Sequence, residues 1–90
     1  MKINEYQLKE KINTFDNKNI VVYFNDLLQA KIIMNNVKIN YNIKTGYLKI
    51  KDDIDNNICI NIVSSYNIQA KEKEITIELD SGINIRIKQN

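Results

Sequence analysis

Ile75-Thr76-Ile77-Glu78-Leu79, Asp80-Ser81-Gly82 and Ile83-Asn84-Ile85-Arg86-Ile87 decide the fold. The outer segments alternate apolar and polar residues without a fault. Successive side chains of a strand point to opposite faces, so each segment has one oily face and one wet face. A three-residue loop pairs Leu79 with Ile83, Ile77 with Ile85 and Ile75 with Ile87 on one face. A two-residue loop would set Leu79 against Asn84 and mix the faces. Three-residue hairpin loops favour a left-handed residue at their end, and Gly82 stands there. The segment reads as a β-hairpin of fixed register in a one-sided sheet.

Upstream, Ile58, Ile60 and Ile62 alternate in the same way, after the polar, turn-like stretch Asp52 to Asn57. Ser64-Ser65 interrupts that pattern. Tyr66 to Ala70 suits one more short strand, and Lys71 to Glu74 leads into the hairpin. Further back, Lys44-Thr45-Gly46 marks a turn. If Gly46 is the left-handed residue of a three-residue loop, Ile43 pairs with Tyr47. A four-residue loop instead matches Leu48 and Ile50 to Ile43 and Tyr41, and is preferred because it keeps the faces separate.

Val37, Ile39, Tyr41 and Ile43 hold odd positions, whereas Ile32 and Met34 hold even ones. The phase switches at Asn35-Asn36, which implies a bulge or a break between two strands. Asn25-Asp26 is the turn before Gln29 to Met34. Ile20 to Phe24 is apolar on both faces and reads as a central or doubly covered strand. At the beginning, Asn4 and Gln7 have capping-box spacing, and Leu8, Ile12 and Phe15 share one helical face. Glu5 and Lys9 are placed for an i,i+4 pair.

The fold class is therefore mainly β, α+β at the margin. One domain, residues 1–90, holds a helix over about 4–15 and an antiparallel meander of six or seven short strands. The strands are expected at about 20–24, 29–34, 37–43, 47–51, 58–63, 75–79 and 83–88, forming a small barrel or a curved sheet. The element order resembles Sm-like and SH3-like small barrels in topology alone. The glycine those RNA binders usually carry after the first strand is missing at Asn25-Asp26-Leu27, no motif transfers, and no family is assigned.

Composition limits the chemistry. A chain of 90 residues buries roughly 60–65% of its unfolded surface, enough for one modest core. The 18 Ile and 15 Asn fit an AT-rich coding sequence. No His is present, so His-based triads and His-ligated metals are impossible; two Gly permit no glycine-rich phosphate loop. Thirteen Lys and Arg against eleven Asp and Glu leave a net charge of +2, weak for a nucleic-acid binder. The longest apolar run is Ile20 to Phe24, far below the ~20 residues of a membrane span. No signal peptide is visible and a lone Cys forms no internal disulfide, so a reducing cytoplasm is expected.

Asp52, Asp53 and Asp55 form the densest acidic cluster. Counted from Asp53 as an EF-hand loop, Ile58 and Ser64 occupy the places of the required Gly and Glu, so a solvated turn is the better reading. Cys59 lacks a His partner and reads as a small semi-buried strand residue. Glu72 and Glu74, between Lys71 and Lys73, read as a solvated connection rather than an acid–base pair. Tyr47, Lys49 and Lys51 fall on one strand face, and Arg86 and Lys88 on the polar face of the last strand. Basic residues beside an aromatic platform are the means of binding single-stranded nucleic acid. The strand Ile83 to Lys88 is a candidate free edge for β-augmentation by a partner.

The functional expectation is a small non-catalytic binding module without cofactor or metal, acting on another protein through a sheet face or edge. Its class could be an adaptor, a self-associating piece, or an inhibitor of the phage or mobile-element kind. The alternative is a small RNA- or single-stranded-DNA-binding protein using Tyr47, Lys49, Lys51, Arg86 and Lys88.

Overall fold

In the computed structural model, residues 2–25 and 29–90 are described. Helix α1 (Glu5–Asn13) opens with the expected capping box: Asn4 accepts from the Gln7 N–H at 2.9 Å, and the Gln7 side chain accepts from the Asn4 N–H at 3.0 Å. Leu8, Ile12 and Phe15 are all buried, as their shared helical face requires. The Lys9 ammonium donates to the Tyr41 carbonyl at 2.7 Å instead of pairing with Glu5.

Eight strands follow: β1 (Ile20–Asn25), β2 (Gln29–Met34), β3 (Lys38–Asn42), β4 (Tyr47–Lys51), β5 (Asn57–Asn61), β6 (Ser65–Lys71), β7 (Glu74–Leu79) and β8 (Asn84–Gln89). They form an antiparallel five-stranded sheet of order β2-β1-β8-β7-β6 and a three-stranded sheet of order β3-β4-β5. The chain is mainly β, with eight strands rather than six or seven, because the segment from Tyr66 to Ala70 is indeed a strand. The sheets are not closed into a barrel. The turn expected at Asn25-Asp26 leaves the described residues after Asn25.

The C-terminal hairpin has the register its alternation dictates. Ile75 pairs with Ile87 and Ile77 with Ile85. The Leu79 N–H donates to the Ile83 carbonyl at 3.0 Å, and Gly82 takes φ +90°. All four of those isoleucines are buried. The break at Asn35-Asn36 separates two strands and also two sheets, with Asn36 at φ +50°, a conformation that Asn tolerates better than most residues.

The β3–β4 hairpin differs from expectation. Its loop has four residues, Ile43 to Gly46, but Leu48 meets Tyr41 and Ile50 meets Ile39, two places from the expected partners. The Asn42 carboxamide sets the turn by accepting from the Lys44 and Thr45 N–H groups, which takes Ile43 out of the strand. Gly46 closes the turn at φ +79°, and a Cβ there would approach Val63 Cγ2 to 2.7 Å. Because the shift is even, the buried face is preserved.

One hydrophobic core joins both sheets and the helix. Even-numbered residues of β1, such as Ile20 and Val22, meet odd-numbered residues of β3, β7 and β8 within it. Among the described residues, no helix is long and apolar enough to cross a membrane.

Candidate interaction surfaces

The five basic and aromatic candidates do not share a surface. Tyr47, Lys49 and Lys51 lie on β4 in the small sheet; Arg86 and Lys88 lie on β8 in the large one. Burial alternates strictly along β3 and β4, so their even and odd positions respectively form one exposed face with Asn57, Cys59 and Asn61 of β5. Across it run three rows: Asn42–Tyr47–Asn61, Asn40–Lys49–Cys59 and Lys38–Lys51–Asn57. Lys38 is a member that sequence reasoning did not name. Its parity in the strand was legible, but its row depends on the hairpin register.

Lys38 stands directly opposite Lys51, and like charges so placed repel. Lys51 is relieved by Asp55 at 3.5 Å, and Lys38 donates to the Asn17 side chain. Both ends of the Lys51–Asp55 pair are exposed, so the pair adds little to stability.

On the wet face of the large sheet, Arg86 is engaged. Its guanidinium carbon lies 4.4 Å from the Tyr23 ring centroid, and its Nε is 3.3 Å from a Glu74 carboxylate oxygen. Lys31 reaches the same ring at 6.0 Å. Tyr23, Lys31, Thr76 and Arg86 help to line an open depression of about 640 Å³. Tyr23 escaped the sequence reading because Ile20 to Phe24 shows no alternation. Glu74 is half-buried and ion-paired, not a freely solvated link, while Glu72 is exposed. Lys88 is exposed beside Val21 and Glu74.

The acidic cluster is built as a turn. Asp52 is buried, and its carboxylate accepts from the Ile54 and Asn56 N–H groups at 3.1 and 2.7 Å and from the Asn56 amide at 2.8 Å. Desolvation pushes this carboxyl up, but the hydrogen bonds from Asn56 and Ile54 outweigh it and hold it below its ordinary range. Asp55 takes φ +67° and faces Lys51. No group of three or more Cys, Asp or Glu suited to holding a metal occurs among the described residues. Cys59 is exposed, not semi-buried, because it falls on the outer face of a strand covered on its other face alone.

The sheet margins differ in a way the sequence did not reveal. The strand expected as a free edge, β8, lies between β1 and β7, so it offers no edge. The true edges are β2 and β6 in the large sheet and β3 and β5 in the small one. Residues 2–18 seal one edge of each. Lys2 bridges to Gln69, and the Ile3 N–H donates to the Ile68 carbonyl at 2.8 Å, which covers part of β6. A register shift between Ser65 and Asn67 blunts β6 further. Along β3, the Ile39 N–H donates to Asp16 at 3.1 Å and the Tyr41 carbonyl accepts from Lys9. Next to β3, the Val37 N–H donates to the Lys18 carbonyl at 3.0 Å. Among the described residues nothing pairs with the outer side of β2 or of β5.

No family model, no curated protein and no solved structure matches this chain.

Proposed function

We propose that the chain is a small non-catalytic module that binds another protein by taking an extended segment of it onto the outer side of β2. The single observation behind this reading is the contrast between margins: the N-terminal segment covers one edge of each sheet, while among the described residues nothing pairs with the outer side of β2. Such a strand is a template for β-augmentation. Its composition supports docking. Val21 and Ile33 are opposite each other on the outer face, and Ile33 is 56% exposed although apolar. Val21 is itself buried, so Ile33 gives an incoming side chain its apolar step, and Lys31 beside it suits an acidic neighbour. The absence of His and of a glycine-rich loop argues against catalysis. An adaptor or an inhibitor of the phage or mobile-element kind, working in the cytoplasm, fits this description.

Affinity capture from nuclease-treated host lysate tests it. Wild-type protein is expected to retain a protein partner, and Ile33→Lys, a change at an exposed site, to lose it. Retention of the same partner by Ile33→Lys would remove β2 from consideration.

One observation favours a second reading. The outer face of the small sheet presents Lys38, Lys49 and Lys51 with Tyr47 and otherwise mostly uncharged polar groups. As a single-strand binder this face would give a slope of log affinity against log salt of about −2, from three contacts at roughly −0.7 each. Tyr47→Ala would then remove ~1–3 kcal/mol if the ring stacks on a base. Arg86 and Lys88, in the other sheet, would not contribute to that slope. Oligonucleotide titrations at several salt concentrations separate this reading from the first.

A further inference from the structure

The strand at the other bare edge reads Asn57-Ile58-Cys59-Ile60-Asn61, which is the same in both directions. An antiparallel pair of identical strands is related by a two-fold axis perpendicular to the sheet. Such an axis keeps each side chain on its own face and so passes beside one residue, which meets its own copy. We infer that β5 pairs with β5 of a second copy of this chain, about an axis beside Cys59, joining two three-stranded sheets into one of six strands.

The palindrome makes this register self-complementary. Asn57 meets the partner's Asn61, Cys59 meets the partner's Cys59, and Ile58 meets the partner's Ile60. Ile58 and Ile60 point to the core side yet are half-buried, because the sheet ends at β5. Pairing would cover that flank and extend the apolar face across the seam. The strand has no charged residue, so no like charges oppose one another. By contrast, β2 carries Lys31, and a two-fold axis at its middle would set lysine against lysine or against Ile33.

The flanks of β5 point the same way. Ile54 precedes the strand and Val63 follows it, and they are the two most exposed large apolar residues described, at 75% and 74%. The antiparallel arrangement carries Ile54 of one copy to the same end of the ribbon as the partner's Val63. Pairing would thus bring Ile54 and Val63 together at each end of the seam and remove apolar surface from water. This inference is independent of the reading of β2, since it uses a different strand in a different sheet.

Sedimentation equilibrium of the full chain under reducing conditions is the test, with two exposed-site variants at the axis. Wild type and Cys59→Ser are expected to dimerise alike, since the thiol is a marker and not the adhesive. Cys59→Lys places two ammonium groups against each other and should weaken the dimer by about tenfold or more. Diamide, which accepts the two hydrogens of two thiols, should then form an intermolecular Cys59 disulfide quickly in dilute wild-type solution. A monomer under reducing conditions up to ~1 mM, the weak end of measurable association, would overturn the proposal. So would a dimer that Cys59→Lys leaves unchanged. Circular dichroism of that variant separates loss of pairing from loss of fold. If it unfolds, the double variant Asn57→Lys/Asn61→Lys, at exposed positions whose lysines would meet across the seam, takes its place with the same expectation and the same refutation.

Discussion

The β6 and β3 margins are covered at least in part; among the described residues, nothing pairs with the outer side of β2 or β5. All four strands carry the same backbone chemistry, so the difference lies in what residues 2–18 reach. Lys2 and Ile3 lie along β6, and Lys9, Asp16 and Lys18 satisfy groups at or next to the outer side of β3. The N-terminal segment thus blocks one edge of each sheet with local groups, which costs no extra strand. Stability and availability are thereby divided: the sheet interiors, the covered edges and inward residues such as Met34 of β2 hold the fold, and the outer sides of β2 and β5 face outward.

The largest expected effect tests that division. Ile77 and Ile85 are a buried cross-strand pair in the middle of the large sheet. Ile77→Ala or Ile85→Ala should cost ~2–4 kcal/mol in denaturant unfolding. A loss below about 0.5 kcal/mol would place the pair among surface sites and void the register.

A smaller effect belongs to the sealed side. Asn4 caps the helix whose flanks close both margins, and Asn4→Ala should cost ~1 kcal/mol. Amide exchange should accelerate at Ile3 and Ile39 in that variant and stay unchanged in β2. Equal acceleration in β2 would mean that the N-terminal segment does not act edge by edge.

The turn leading into β5 should depend on pH. Asp52 is held below its ordinary range, so its contribution is present at neutral pH and is lost as pH falls below about 3.8, through its lowered folded value. Asp52→Asn should flatten the acid limb of the stability curve relative to wild type. An identical acid limb would show that the carboxylate does not anchor the turn.

The smallest effect is expected at the bare edge. Ile33→Ala should change stability by no more than ~0.5 kcal/mol, as exposed sites do. A loss near that of Ile77→Ala would show Ile33 to be structural and not available for a partner.

How much the sequence revealed follows the same contrast between local and distant information. The C-terminal hairpin was legible because alternation, loop length and Gly82 agree. The β3–β4 hairpin was legible in loop length and buried face but not in partners, because the Asn42 side chain captures the turn one residue earlier than the pattern indicates. The helix cap was a matter of spacing and was correct. Edge identity was not legible: β8 has the composition of an edge strand, yet β1 pairs with it from 59 to 69 residues away. The five candidate basic and aromatic residues are divided between two sheets for the same reason. Lys49 and Arg86 look alike in alternating strands, and only the order of strands sends them to different sheets, one exposed and one held by Tyr23 and Glu74.

The most direct test of docking at β2 is amide hydrogen exchange on the chain, free and bound to the protein it retains from nuclease-treated lysate. Strand addition predicts slowed exchange in residues 29–34, with β3 and β6 unchanged. Unaltered exchange throughout β2 in a stable complex would contradict it.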